Sequence, residues 1–403
     1  MQKQLIETIK NLAHQNYERI KIIREHLHAH PELSFKEIKT AHYISSVLTE
    51  WGIQHQTGIV ETGIVGFIQG NTSAKKTLLL RADMDALPIT ELNSVPYKSK
   101  NEGIMHACGH DVHSACLLGA LFILNHLKKE LPVNIKFMFQ PGEEVLPGGA
   151  SLMIKKGVLT NPLVNMAFGQ HVFPNMQVGK VGFRKGMYMA STDELYITVN
   201  GKGGHAAMPA EYINPLLIAS ELLMALHSDF MLSKKYQQLP EFIDAPTVLA
   251  FGKIEGKGAT NVIPEKVELA GTFRTMNEAW RAEAHKHIII TANGIATKWQ
   301  TNIDVRIEKG YPFLVNNAEL TDTAIKTARL YLGNENVEEL AQRMTAEDFA
   351  FISQEVPSCF YRLGTGNITK KITSGVHTPT FDIDEKALEI GSGLMACLAF
   401  NAE

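Results

Sequence analysis

Residues 103–113, GIMHACGHDVH, set His106, Cys108, His110, Asp111 and His113 into one short stretch. Thiolate and imidazole two residues apart in a loop can turn toward one ion, and both suit zinc and related transition metals. Cys116, Cys359 and Cys397 sit in apolar surroundings and read as small buried hydrophobes. Cys108 lies in a polar, glycine-containing loop between histidines and reads as a ligand or a nucleophile. His106 and His113 read as supporting or structural side chains.

Further candidates lie far along the chain. QPGEE puts Glu143 beside Glu144, so one carboxylate can bind metal while the other takes a proton from a metal-activated water. GQHV supplies His171 and GVHTP supplies His377, each in a segment of small residues. With Cys108, His110 and Glu144 these make five donors, which fits two ions better than one closed four-ligand structural site. In RADMDALP, Asp83 is the expected carboxylate behind a ligating histidine, and Asp85 reads as a turn or helix-cap residue. Asp348, in TAEDFAF, reads equally as a helix cap. GKGGHAAMP offers His205 and TNVIP offers Asn261, either able to donate to a developing oxyanion. Arg274 in GTFRTM has the fork that suits a carboxylate; it or Asn261 is the candidate holder of a substrate carboxylate.

The elements that must position these residues alternate. A helical apolar spacing runs from Ile6 to Leu27 and stops before Pro31. TGIVGFIQG and KKTLLLRADMD read as strands, HACGHDVHSACLLGALFILNHL as a loop entering a helix, and VNIKFMFQPGEE as a strand broken at Pro141. VNMAFGQHV reads as a short strand ending in its histidine. Strands alternating with helices predict an α/β fold with a mixed, largely parallel sheet flanked by helices, whose sites form at strand carboxyl ends. Asp83, Asp85, Glu143, Glu144 and His171 all fall there. Beyond residue 187 the order becomes β-α-β-β-α-β, a ferredoxin-like unit. Residues 188–310 therefore read as an inserted domain, and 1–187 with 311–403 as one discontinuous catalytic domain. CFYRLGTG is a strand, and Asp382 with Glu385 reads as a capping box for the last helix.

Composition excludes several classes. The 403 residues carry a net charge of -3, 45% apolar and 20% charged side chains. That balance offers nothing to nucleic acid or to an anionic membrane. The N-terminus has no signal-peptide core, and the longest apolar run, Ala115–Leu124, is about half of a membrane span. Four cysteines in this length make no disulfide framework, so a reducing, cytoplasmic setting is expected.

HAHPELSF, RADMDALPI, MHACGHDVH, QPGEE, GGASLMIKKGVL, GKGGHAAMP, TNVIP, GTFRT, EDFAF and VHTPTFDIDE occur in this order nearly end to end. In them the chain resembles the amidohydrolase branch of the dinuclear zinc-peptidase superfamily. That branch includes hippurate hydrolase, N-acyl-amino-acid amidohydrolases (aminoacylases) and indole-acetyl-amino-acid hydrolases. The resemblance implies metal ligands at Cys108, His110, Glu144, His171 and His377, Glu143 as general base and Asp83 as the supporting aspartate. It implies that His205 reaches the scissile carbonyl by domain closure or from a partner subunit, the inserted domain being a lid and dimerisation element. Two divalent ions, zinc, manganese, cobalt or nickel, are expected. The wider superfamily has a histidine ligand where this chain has Arg81, and a bridging aspartate where it has His110. A neutral imidazole is a poor bridge, which leaves a water to link the ions.

The expected activity is hydrolysis of an N-acyl amino acid, acetyl, benzoyl or aryl-acetyl, to a carboxylic acid and a free amino acid. Deacetylation of N-acetyldiaminopimelate and dipeptidase- or carboxypeptidase-like cleavage are the alternatives. A hydrolase using Cys108 as nucleophile and His110 as base would leave Glu144, His171 and His377 idle. A non-catalytic metal-binding relative would have lost Glu143, which is present.

Overall fold

The seven residues TLLLRAD form a strand, Thr77–Asp83, buried at every position, as an apolar run inside a parallel sheet must be. In the computed structural model, which describes residues 2–232, 236, 239 and 246–402, the chain divides into two compact units. The first comprises Met1–Tyr188, Val315–Ala341 and Asp348–Glu403; the second comprises Met189–Leu314 and Gln342–Glu347.

The sheet of the first unit runs His55–Ile59, Gly63–Ile68, Asn134–Gln140, Thr77–Asp83, Met166–Gln177, Ser358–Gly366, Val181–Phe183, Val337–Glu339. Its centre is parallel: Thr77–Asp83 pairs in parallel with Asn134–Gln140 and Met166–Gln177, and the latter with Ser358–Gly366. Antiparallel strands flank this centre. The mixed, largely parallel α/β sheet is thus the observed architecture. Register brings Asp83 opposite Gln140 and His171 opposite Arg362. Helix Gln2–Ala29, helix His110–His126 and helix Lys386–Phe400 pack together on this sheet. The middle one is buried almost throughout, through Val112, Ala115, Leu118, Leu121 and their neighbours.

The structure departs from the sequence pattern at two places. The strand carrying His171 does not end there but continues to Gln177, because Ser358–Gly366 keeps pairing alongside it. The Asp382–Glu385 capping box does not form. Asp384 accepts from Lys386 N at 3.1 Å, while Asp382 accepts from buried Arg24 at 3.1 Å and Glu385 pairs with Lys21 at 3.1 Å.

In the second unit Asp193–Asn200 alternates, burying Leu195, Ile197 and Val199 while Glu194 and its alternates face outward. This period of two marks a half-buried antiparallel strand. The sheet order is Thr247–Glu255, Lys266–Thr275, Asp193–Asn200, Ile303–Lys309, with antiparallel pairing throughout. Helix Pro215–His227 follows the first strand and helix Glu278–Trp299 the third. This order, with first and third strands central, is ferredoxin-like. Trp280, Ile288, Leu222 and Phe273 fill its core. Residues Pro215–Leu232 are long and apolar enough to cross a membrane by length and composition alone; Ile218, Ala219, Leu222 and Leu226 of that stretch lie in this core.

Candidate metal centre

Four chain segments deliver donors to one place in the first unit. Cys108 and His110 flank Gly109, which adopts φ 83 just before helix His110–His126. A Cβ there would lie 2.6 Å from Val172 Cγ2, so the loop needs glycine on both conformational and steric grounds. Pro141 ends strand Asn134–Gln140, and the turn at Gly142 (φ 60) presents Glu143 and Glu144. His171 comes from the long central strand. His377 comes from a loop held by its own N–H to Ala107 O, 2.7 Å, and adopts φ 60, rare for a residue with a side chain.

The five expected ligands fall into two overlapping sets whose donor atoms lie within 4.8 Å of one another: Cys108, His110 and His171, and Cys108, Glu144 and His377. Cys108 Sγ lies 3.5 Å from His171 Nε2, and Glu144 Oε1 lies 3.3 Å from His377 Nε2 and 3.8 Å from His110 Nε2. Glu143 Oε2 stands 4.0 Å from His110 Nε2. His110 Nε2 is buried without a hydrogen bond, and Glu144 Oε1, buried as well, has the His377 ring at ion-pair distance but no well-formed hydrogen bond. Orphaned buried polar atoms are costly in a folded protein, and here they belong to metal-ligating residue types aimed at a common point. The donor set, one sulfur, three nitrogens and a carboxylate, fits transition-metal ions.

The carboxylate in contact with His110 Nδ1 is Asp85, at 3.1 Å, and not Asp83 as the sequence suggested. Asp85 also accepts from Ser34 Oγ at 2.6 Å and Glu144 N at 3.0 Å, both on Oδ2. Asp83 instead holds His113 Nδ1 at 2.6 Å and Arg81 Nη1 at 2.7 Å. His113 Nε2 accepts from Val172 N at 2.9 Å, so His113 ties Asp83 to the strand of His171. Asp348 sits at the first turn of helix Gly149–Lys155. It accepts from Arg81 Nη2 at 2.7 Å, Gln140 Nε2 at 2.6 Å and Ala150 N at 3.0 Å.

Electrostatics separates the roles. Burial, reinforced by the Arg362 guanidinium, holds His171 well below the ordinary imidazole value, so it is neutral, the form that ligates. Against burial, Asp83 and then Cys108 hold His110 well above the ordinary imidazole value in the metal-free site. Its charge, with that of Arg81, outweighs burial to keep the Asp83 carboxyl well below its usual range; a metal at His110 Nε2 would take the place of that proton. Burial and then Glu144 push the Cys108 thiol up, the opposite of what an unaided nucleophilic thiolate needs.

The remaining expected site residues lie in the second unit. His205 ends the short strand Gly204–His205, which pairs with Val262–Ile263. Its Nδ1 accepts from Ala207 N at 3.1 Å, leaving Nε2 as the donor of a neutral ring. Asn261 is exposed, and its carbonyl accepts from Ala206 N at 3.1 Å. Arg274 is half-buried and donates to Met344 O at 3.1 Å.

The profile of peptidase family M20/M25/M40 matches residues 79–401, most of the chain and all of the donor segments. The chain belongs to peptidase family M20/M25/M40. Among relatives, N-acetylcysteine deacetylase of Bacillus subtilis is 35% identical over 380 residues, 94% of this chain and 95% of that one. Thermostable carboxypeptidase 2 of Saccharolobus solfataricus is 35% identical over 398 residues, 98% of each chain. A Bacillus subtilis M20 peptidase of known structure, described as dinuclear metal-binding, is 31% identical with a TM-score of 0.80, covering 95% of this chain and 97% of that one. This M20 chain is a metal-dependent hydrolase of amide bonds with a two-ion centre.

Proposed function

We propose that this M20 hydrolase cleaves N-acyl amino acids to a carboxylic acid and a free amino acid. The observation that carries the reading is the convergence of Cys108, His110, Glu144, His171 and His377 beside a second carboxylate, Glu143. Similarity to a deacetylase of N-acetylcysteine over nearly the whole length supports the substrate class.

Bound divalent ions, held by those five side chains, supply Lewis acidity toward the amide carbonyl and toward the attacking water. Glu143 is the base. It takes the water proton and returns it to the departing amine nitrogen, so one water is consumed and the C–N bond is exchanged for C–O and N–H bonds. Asp85 keeps the His110 proton on Nδ1 and so leaves Nε2 as a lone-pair donor. His205, with its proton on Nε2, donates to the carbonyl oxygen as charge develops. Arg274 or Asn261 holds the amino acid carboxylate.

The test is a hydrolysis screen of N-acetyl, N-benzoyl and indole-acetyl amino acids, N-acetyldiaminopimelate and dipeptides, after reconstitution with zinc, manganese, cobalt or nickel. Turnover confined to unblocked peptides would overturn the N-acyl assignment, and similarity to a carboxypeptidase makes that arm essential. His205→Ala should lower kcat on the best substrate with its Co(II) binding unchanged. We further assign a homodimer formed through the second unit, which leaves Leu217, Met224 and Ile290 exposed. Sedimentation of wild type against Met224→Glu checks it: a monomeric wild type refutes it.

A further inference from the structure

The segment Glu32–Glu37, ELSFKE, contributes no ligand and no base, yet it touches both loops that do. Ser34 Oγ donates to Asp85 Oδ2 at 2.6 Å, the oxygen that also receives Glu144 N. Glu37 is fully buried. Its Oε1 accepts from Phe35 N at 2.9 Å and from Gly142 N at 2.8 Å, and its Oε2 accepts from Thr62 Oγ1 at 2.8 Å. Gly142 immediately precedes Glu143. Phe35 adopts φ 61, a left-handed conformation uncommon for an aromatic residue, and its ring lies where a Cβ on Gly142 would come within 2.4 Å. Glu32 anchors the segment at its start: its carbonyl accepts from Ala86 N at 2.8 Å, and its Oε2 accepts from Thr40 N at 2.9 Å.

We propose that Glu32–Glu37 is a clamp on the metal loops, with Ser34 and Glu37 as positioning residues that set the placement of His110, Glu143 and Glu144. It rests on the metal-centre reading above. Ser34 acts through Asp85, whose other oxygen faces His110 Nδ1. Glu37 acts through the Gly142 N–H, the last backbone group before the base and its neighbouring ligand. A buried carboxylate that accepts two backbone N–H groups from separate loops fixes their spacing more tightly than packing does. The strained Phe35 turn, held by the same carboxylate, seats its ring against the glycine of the other loop. Strain of this kind persists only where surrounding structure over-determines it.

The test reads metal affinity without turnover. Co(II) is titrated into the metal-free full chain, following the thiolate-to-cobalt charge-transfer absorption that Cys108 ligation produces. Ser34→Ala should weaken Co(II) binding about 10-fold, the scale of losing a group that orients a ligand, with the melting temperature of the metal-free protein unchanged. Glu37→Ala should lose about 10- to 100-fold in affinity or in kcat. Glu37→Gln, whose amide oxygen can still accept from Phe35 N and Gly142 N while its NH2 donates to Thr62, should recover wild-type behaviour within about threefold on that same scale. A Ser34→Ala protein that binds Co(II) like wild type, or loses affinity only in step with melting temperature, overturns the clamp. A wild type without the absorption band overturns the metal centre itself and the clamp with it, so the two failures are separable.

Discussion

Asp85→Asn should disable the metal centre while barely changing its shape. Asp85 is 1% exposed and meets three partners: Ser34 Oγ at 2.6 Å and Glu144 N at 3.0 Å on one oxygen, His110 Nδ1 at 3.1 Å on the other. An amide has one acceptor oxygen and one donor NH2. If its oxygen keeps Ser34 and Glu144, the NH2 faces His110 Nδ1 and drives the ring proton to Nε2. That nitrogen is the one aimed at Glu144 Oε1, 3.8 Å away, and a protonated Nε2 cannot ligate. If the amide turns over, its NH2 meets the Glu144 N–H donor and a buried hydrogen bond is left unmade, at about 1–3 kcal/mol. Either arrangement corresponds to roughly 10- to 100-fold weaker metal binding. Competition against a chelating dye measures it, alongside melting of the metal-free protein, which should lose no more than the about 1–3 kcal/mol of one unmade buried hydrogen bond. Metal affinity within about twofold of wild type, against the expected loss, would refute the claim that Asp85 fixes the His110 tautomer.

Glu143→Gln should keep Co(II) binding and lose about 10²- to 10⁴-fold in kcat, the usual worth of a positioned base; substantial retained turnover would remove Glu143 from the reaction. Gly109→Ala should destabilise the chain and weaken metal binding together, because the new Cβ meets Val172 at 2.6 Å in a left-handed turn; thermal melting and Co(II) titration read both. Lys136 is buried, donates to Asn161 O at 2.8 Å, and burial pushes its pKa down to about 8. Between that value and the ordinary one the unfolded chain carries the extra proton, so stability rises with pH across that window. Wild type should therefore gain melting temperature relative to Lys136→Met on going from pH 8 to pH 10, and an equal response of the two proteins would contradict the buried, depressed amine.

The sheet was legible because its strands are apolar runs that each end in a polar loop, and parallel register carries those ends to one edge. The ligand candidates were legible for a related reason: sulfur, imidazole and paired carboxylates stand out against small residues. What failed was pairing at a distance. RADMD offers two aspartates two residues apart, and nothing local says which faces His110; the answer depends on a loop 25 residues further on. Ser34 and Glu37 are ordinary polar residues whose partners lie 51 and 105 positions away. The capping box at Asp382 had the right residue types, but a buried arginine from the first helix competes for that carboxylate. Helices Ile38–Glu50 and Ala318–Leu332 were not read at all. Each buries a stripe at helical spacing, Ala41, Ile44, Val47 and Leu48 in the first and Ala324, Ala328 and Tyr331 in the second, so the periodic signal was present in the sequence.

Arg81 and Cys108 together account for the way this centre departs from the aspartate-bridged arrangement of the wider superfamily. Arg81 is buried and spends its guanidinium on Asp83, Gln140 and Asp348. A cation there neutralises two carboxylates that would otherwise compete for metal, and it cannot itself ligate. The five expected ligands then fall into Cys108–His110–His171 and Cys108–Glu144–His377, which share Cys108, while His110 also lies in a group with Glu143 and Glu144. A thiolate has lone pairs enough for two ions, whereas the His110 imidazole, with Nδ1 committed to Asp85, has one. Cys108 is thus the side chain that would be able to serve both ions, and His110 would serve one. Five protein donors would be too few to close two four-ligand structural sites, and that shortfall is the condition that separates a catalytic centre from a structural one.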